Sequence, residues 1–593
     1  MTRKAPRIAL AAAGLLTLSG FSSEPATPGY FDPLLEPGAF CGPPQGGQPP
    51  LLRNLILAAT ETAPFQPVPP KPALGETPPL YGNLGNLHWK VATRNRKAQA
   101  YFDQGLILAF GFNHAEAQRA FREAQKLDPG CTMCFWGESL VLGPNINVPM
   151  MPDANAPALA ALEKARGLAK SAPAKEQALV EALSKRYSAD PKVERPALDK
   201  AYAEAMKDVA ARYPKDDTVL TLYAEALMDT QPWDYWEAAG AKPKGNAADI
   251  VKALETVLAR NPRHAGAAHL YIHAMEASTQ PEKALPYANH LASLAPGAGH
   301  LVHMPAHIYY RVGMYRESLA TNKRAIGVDE RYFSTSPSDP LYKAAYYPHN
   351  IHFVMVSAQA GGDRATALEA ADKLEASIPD EVAKMFAILQ PVKAAPFTTR
   401  ARFSESDAIL KLPAPSQDLL LVTAMYHYAR AVAYASKKDA AGAKGEIDAL
   451  AKMEGADFKA FGEWGVPAKE IVQIARLVAV GRLADAEGNL DAAAKAYEDA
   501  VFIEDTLSYM EPRYWDFPVR QALGSVRLRQ GRLDDAEKAF RDSLAQVRNS
   551  GWALAGLAET YHKKGDAKAE KATRAAFSKA WFGDKGGPDL ARL

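Results

Sequence analysis

The segment GHLVHMPAHIYYR holds His300, His303 and His307. His269, His273, His349 and His352 lie close by, so more than half of the chain's 13 histidines fall between positions 269 and 352. Imidazole is a donor to transition metals. Two histidines four residues apart on a helix stand on one face, one turn apart, and can grip a single ion. His269-x-x-x-His273-x-x-Glu276 offers three candidate ligands in this way, and His303-x-x-x-His307 repeats the spacing. A donor set dominated by imidazole suits copper, zinc or iron better than calcium or magnesium. Two such ions would permit a hydrolytic or an oxygen-handling reaction. The same histidines could instead line a polar groove that holds an acidic ligand or a peptide, or serve metal storage or delivery. No nucleophilic motif, phosphate-cradling glycine loop or dinucleotide fingerprint is evident, so any catalysis is expected to depend on metal, as a hydrolase or an oxidoreductase.

The elements that must position these residues are helices. From about residue 98 the chain reads as amphipathic helices with short breaks and almost no strand signal. In AYFDQGLILAFGFNHAEAQRAFREAQKLDP, counted from Ala98, Gly105 is position 8, Ala117 is 20, Phe121 is 24, Ala124 is 27 and Pro129 is 32. Small and aromatic residues at these places let two helices pack closely, and the proline ends the second. The count recurs from Ala265 (Ala284 at 20, Pro296 at 32), from Gly299 (Ser318 at 20, Ala325 at 27) and from Ile474 (Gly481 at 8, Ala493 at 20, Tyr497 at 24). These units resemble the tetratricopeptide repeat, which implies an all-α helical solenoid. Stretches such as FWGESLVLGPNIN, HLYIHAMEAS and YYPHNIHF are similar to a group of exported bacterial tetratricopeptide proteins of no established activity. That resemblance implies a fold and a capacity for peptide or protein partners, but no catalytic residues. The expected organisation is a signal peptide over 1–22, a Pro/Gly-rich arm or linker over 23–90, N-terminal repeats with insertions over 91–262, central repeats with a histidine-rich groove over 263–400, and C-terminal repeats over 401–593.

In such a solenoid the first helix of each repeat lines the concave groove with its positions 2, 5, 9, 12 and 13, by the 3.6-residue period. His269 and His273 are positions 5 and 9 of one unit. His300, His303 and His307 are positions 2, 5 and 9 of the next. A third unit, started at Pro348, makes His349 and His352 positions 2 and 5. All seven are therefore expected on one wall, with Glu276, Tyr310 and Arg311. The expectation is that His269, His273, His303 and His307 share one metal, that Glu276 ligates or orients an imidazole, and that His349 and His352 complete a second site. Pro305 lies inside the helix that carries His303 and His307. The helix must start near Met304, with His300 and His303 on its entry loop, or kink there.

The rest of the sequence bounds the setting. The net charge of +2 gives no basic face for nucleic acid. MTRKAPRIALAAAGLLTLSGFSSE reads as a secretory signal with a small-x-small cleavage site at Gly20-Phe21-Ser22, the alternative being an N-terminal anchor. A periplasmic or secreted protein with no stable membrane insertion after signal removal is expected. The only cysteines are Cys41, Cys131 and Cys134; the last two form a disulfide, with or without Cys41 taking part, or remain buried thiols. His88, His114, His264, His290, His427 and His562 read as turn, surface or packing residues. The aromatic segments at 233–236 and 509–518 are candidates to cover the groove.

Overall fold

Glycine and aromatic side chains set how closely the helices approach. The computed structural model describes residues 77–593 apart from Ala238 and residues 337–339. The signal segment, Cys41 and most of the Pro/Gly-rich arm lie outside the described residues. α1 (Arg96–Phe110) pairs with α2 (His114–Leu127), and the Phe121 ring of α2 fills the space where a side chain at Gly105 or Gly137 would stand. A Cβ there would come within 2.7 and 2.5 Å of the ring. Phe540 lies between Gly524 and Gly556 in the same way, and Tyr497 lies against Gly481. One packing device thus recurs at the two ends of the array.

The turn inside a repeat is equally regular. It needs one residue in the left-handed region, and Gly313, Gly362, Gly488, Gly531 and Gly565 supply it at φ 74–84°. An Asn or Asp then caps the second helix: Asn113, Asp363, Asp439, Asn489 and Asp566 each accept a hydrogen bond from a main-chain N–H of the first turn. Lys438 and Phe112 take the glycine's place in two of these turns, at φ 59° and 55°.

Four further helices carry the histidines, α3 (Ala265–Glu276), α4 (Gly299–His303), α5 (Pro305–Arg311) and α7 (Pro340–Gly361), and α6 (Tyr315–Thr335) packs against the last three. α4 and α5 are separated only at Met304, which keeps helical dihedrals, so Pro305 interrupts the hydrogen-bond ladder and the chain continues in the same sense. α7 begins eight residues before the expected start at Pro348 and runs through that proline, bringing Tyr342 and Tyr346 into the core. The C-terminal repeats close back on the central ones: the Tyr315 hydroxyl donates to the Arg548 main-chain oxygen at 2.5 Å, and the Trp552 indole donates to that of Gln359 at 2.7 Å. The only sheet among the described residues is a hairpin of Trp236–Glu237 with Lys242–Pro243. No described helix is long and apolar enough to cross a membrane.

The described end of the arm is packed. Trp89 is buried against the first repeat and donates its indole N–H to Asp216 at 3.2 Å. Cys131 caps the helix Thr132–Val141 and is disulfide-bonded to Cys134, one turn on, with both residues fully buried. So short a loop restricts the unfolded chain little. A non-reducing peptide map is expected to recover the pair intact, and reduction should move the melting temperature only slightly. Rapid alkylation of both cysteines in native, unreduced protein would contradict the pairing.

Candidate metal centre

The 34-residue period copies a three-histidine arrangement. The ring nitrogens of His269, His273 and His300 form one group, with those used lying within 4.8 Å of one another, and those of His303, His307 and His349 form another. Each group takes repeat positions 5 and 9 from one unit and position 2 from the next. The period-related pairs fall into different groups, although the His273 and His307 rings stand only 5.7 Å apart. The four histidines expected to share one ion, His269, His273, His303 and His307, thus fall two in each group. His352, the position-5 residue of the third unit, is in neither group; its Nε2 lies 3.8 Å from Asp516 Oδ1. Position 9 of that unit is Val356, so the pattern stops there.

Outer hydrogen bonds fix most of the rings. His269 Nδ1 lies 2.6 Å from the Phe110 main-chain oxygen, and His303 Nδ1 lies 2.6 Å from Asn322 Oδ1. The Asn322 amide is itself oriented by donating to the Ser318 main-chain oxygen at 2.8 Å. Glu276 does not point into either group of Nε2 atoms. Its Oε1 accepts from His273 Nδ1 at 2.7 Å and its Oε2 from His307 Nδ1 at 2.6 Å, so one carboxylate ties one ring of each triad. Acceptors at these four Nδ1 atoms place the proton there and leave a lone pair on each Nε2.

The Nε2 atoms face one another. His303 Nε2 stands 2.8 Å from His307 Nε2, His349 Nε2 lies 3.3 Å from His307 Nε2, and His269 Nε2 lies 3.1 Å from His300 Nε2. His273 Nε2 and His300 Nδ1 are buried with no hydrogen-bond partner. Burial, reinforced by neighbouring imidazoles, holds His269, His300, His303 and His349 well below the usual histidine range, and burial also lowers His273. Burial alone would raise Glu276, but His307 and the hydrogen bonds from both histidines bring it down to about 2. The site thus sets buried imidazoles, four of them tied at Nδ1, around an ionised carboxylate.

Aromatic rings enclose it. Phe112 lies 4.6, 6.0 and 5.4 Å from the rings of His269, His273 and His300, and Phe353 lies 5.1, 4.6 and 5.0 Å from those of His303, His307 and His349. Trp233 is edge-on to His273 at 5.0 Å and Tyr346 to His300 at 4.7 Å. Tyr509 reaches Glu276 Oε2 at 3.4 Å and also donates to Glu511 at 2.6 Å, so the 509–518 connection packs over the carboxylate. Arg311 donates to the main-chain oxygens of Glu276 and Ser278, at the negative end of α3. Tyr310 packs its ring against Phe353. The histidines are therefore buried, with His349 half-buried, where an open groove wall was expected. His264 caps α3, accepting from the Ala267 N–H, and His290 is exposed.

Sequence reasoning found all six triad histidines and Glu276 but missed Phe112, Phe353 and Asn322. Phe112 had a readable signal: a bulky ring where the repeat's turn elsewhere uses glycine. Asn322 and Phe353 lie on helices with nothing in their spacing to mark them.

Residues 98–131 match the family described as Tetratricopeptide repeat. The paired helices around this match give the chain a tetratricopeptide-type, all-α solenoid fold. No curated protein matches the sequence. Solved structures similar to it include the Cut9–Hcn1 APC/C hetero-tetramer, at 13% identity over 79% of this chain and 78% of that one with a TM-score of 0.29. Human IFIT1 with m7Gppp-AAAA is 12% identical over 83% and 91%, with a TM-score of 0.30, and yeast Tom70 is 11% identical over 80% and 90%, with a TM-score of 0.25. Superpositions this loose carry nothing about ligand or activity.

Proposed function

We propose that the protein is a transition-metal protein whose two histidine triads each hold one ion inside a tetratricopeptide scaffold. The observation that carries this reading is the 2.8 Å approach of His303 Nε2 to His307 Nε2 while both Nδ1 atoms are held by acceptors. Two lone pairs at that distance repel. A cation between them removes the repulsion. Ligands about 2.0–2.1 Å from a tetrahedral ion lie about 3.3 Å apart, close to the spacings within the second triad. Copper, zinc and iron fit an imidazole set.

Burial of the rings favours a resident ion over one stored or handed on. It also speaks against the histidines as contacts for a peptide, the commonest kind of ligand of tetratricopeptide proteins, so a protein or peptide partner is a reading for other faces of the scaffold. Export belongs to the proposal too: the N-terminal segment reads as a signal, and a buried Cys131–Cys134 pair suits an oxidising compartment. Intact mass of the exported protein is expected to show cleavage near Ser22; a mature species retaining Leu15–Leu18 would contradict it.

Elemental analysis of protein matured in cells and never exposed to chelator tests the metal reading. Wild type is expected to carry transition metal, up to two ions per chain. His273→Ala and His307→Ala should each lose one ion, and exposed His290→Ala should lose none. A wild-type protein without such metal, and gaining none on titration with copper, zinc or iron, would sink the reading.

A further inference from the structure

The choice of metal and the space around it go further, resting on the reading above. We propose that the two triads hold a pair of cuprous ions and that the pair binds dioxygen.

Charge argues for copper in its lower oxidation state. Six imidazoles bring no negative charge, and no carboxylate or thiolate stands among the Nε2 atoms. The carboxylates tied to the triads are Glu276 and, through Tyr509, Glu511. They supply two negative charges at most. Two cuprous ions are balanced by them; two divalent ions leave an excess of two positive charges in a buried, ring-lined site, where uncompensated charge is expensive. Arg311 at the end of α3 adds one further positive charge to either pair, so the divalent pair stays two charges worse. Imidazole suits copper, and a closed-shell cuprous ion accepts three neutral nitrogens readily.

Space argues for a diatomic ligand. Three protein donors leave each ion open on one side. Two walls, Phe112 and Phe353, are apolar. Beside Phe112 lies a cavity of about 40 Å³, lined also by His114, Asn145, Tyr342 and Tyr346, the last in edge contact with His300. It has room for a few waters or a diatomic molecule and none for an organic substrate. The triads are neighbours: the His273 and His307 rings lie 5.7 Å apart and the His300 and His303 rings 5.8 Å. A small molecule in this cavity lies beside Phe112 and Tyr346, which both contact His300 of the first triad, and the His300 ring stacks on His303 of the second.

The step balances without another reactant. Each copper gives one electron, dioxygen takes both, its O–O bond order falls from two to one, and the reduced oxygen stays bound to the two cupric ions. No proton enters, and release reverses the transfer.

The test loads the full chain anaerobically with a cuprous salt, removes the excess, counts copper and then admits oxygen. Two coppers per chain are expected, with one dioxygen taken up per two coppers, a strong new near-ultraviolet absorption, and no electron-spin signal from isolated cupric ions because the pair is coupled. His349→Ala, at the half-buried position and therefore the most easily tolerated, should keep one copper, fold as wild type by circular dichroism, and take up no oxygen. Two bound coppers with no oxygen uptake, or with the spin signal of isolated cupric ions, overturn this inference and leave the metal reading standing. Zinc binding at two per chain with no copper binding overturns the copper assignment alone. Full oxygen uptake by His349→Ala overturns the pairing. Failure to bind any of these metals removes both readings.

Discussion

Glu276→Ala is expected to weaken both metal ions together. Its carboxylate is fully buried and accepts from His273 in one triad and His307 in the other. Removing it frees each Nδ1 proton to move to Nε2, which turns a donor nitrogen into an N–H. Loss of such an outer partner typically costs about 10–100-fold in metal affinity, here at each ion. Glu276→Gln keeps the volume and one acceptor, but its amide NH2 must face the other Nδ1–H. One histidine is then forced to change tautomer, and the loss should fall mainly on one ion. His349→Ala gives the contrast, since that side chain belongs to one triad. Competition titration against a chelator, read as two separate equivalents, distinguishes these patterns. A Glu276→Ala protein that loses affinity at one ion only, or at neither, would show that the carboxylate does not link the triads.

Much of this arrangement is legible in the sequence, for a physical reason. Repeat packing depends on residues at fixed positions, so Gly105, Phe121 and Gly137 announce the helix pairs, and the same count aligns His269 with His303 and His273 with His307. Position along a helix fixes the face, and face is what the period reports. Distance between faces is another matter. The four histidines expected around one ion fall two in each group, and His300 and His349, one turn earlier on the following helix, complete the groups. The aromatic segments at 233–236 and 509–518 were legible as a cover, but the residue that Tyr509 covers was not. Tyr509 comes from 233 positions beyond Glu276, and only the return of the C-terminal repeats brings it there. Pro305 reads as a break or kink and Pro348 as the start of a unit, yet the chain keeps its helical course past both.

Phe112 carries the prediction most particular to this chain. An aromatic residue in the left-handed region costs of order 1–3 kcal/mol, and glycine fills the equivalent turn at Gly313, Gly362, Gly488, Gly531 and Gly565. The ring offsets that cost by burial against His269, His273 and His300. Losing a buried phenylalanine costs about 3–5 kcal/mol, more than the strain, so Phe112→Ala should destabilise the metal-free protein by several kcal/mol. Phe112→Gly loses the same ring and also relieves the backbone. It should therefore be the more stable of the two variants, by about 1 kcal/mol, although both fall below wild type. Each should bind one ion weakly and the other normally, because Phe112 touches only the first triad and Phe353 walls the second. Denaturant unfolding of metal-free protein and copper titration of the folded variants read the two effects separately. If Phe112→Ala matches Phe112→Gly in stability, the backbone there is not held in the left-handed region. If both ions weaken equally, the two rings do not wall separate sites.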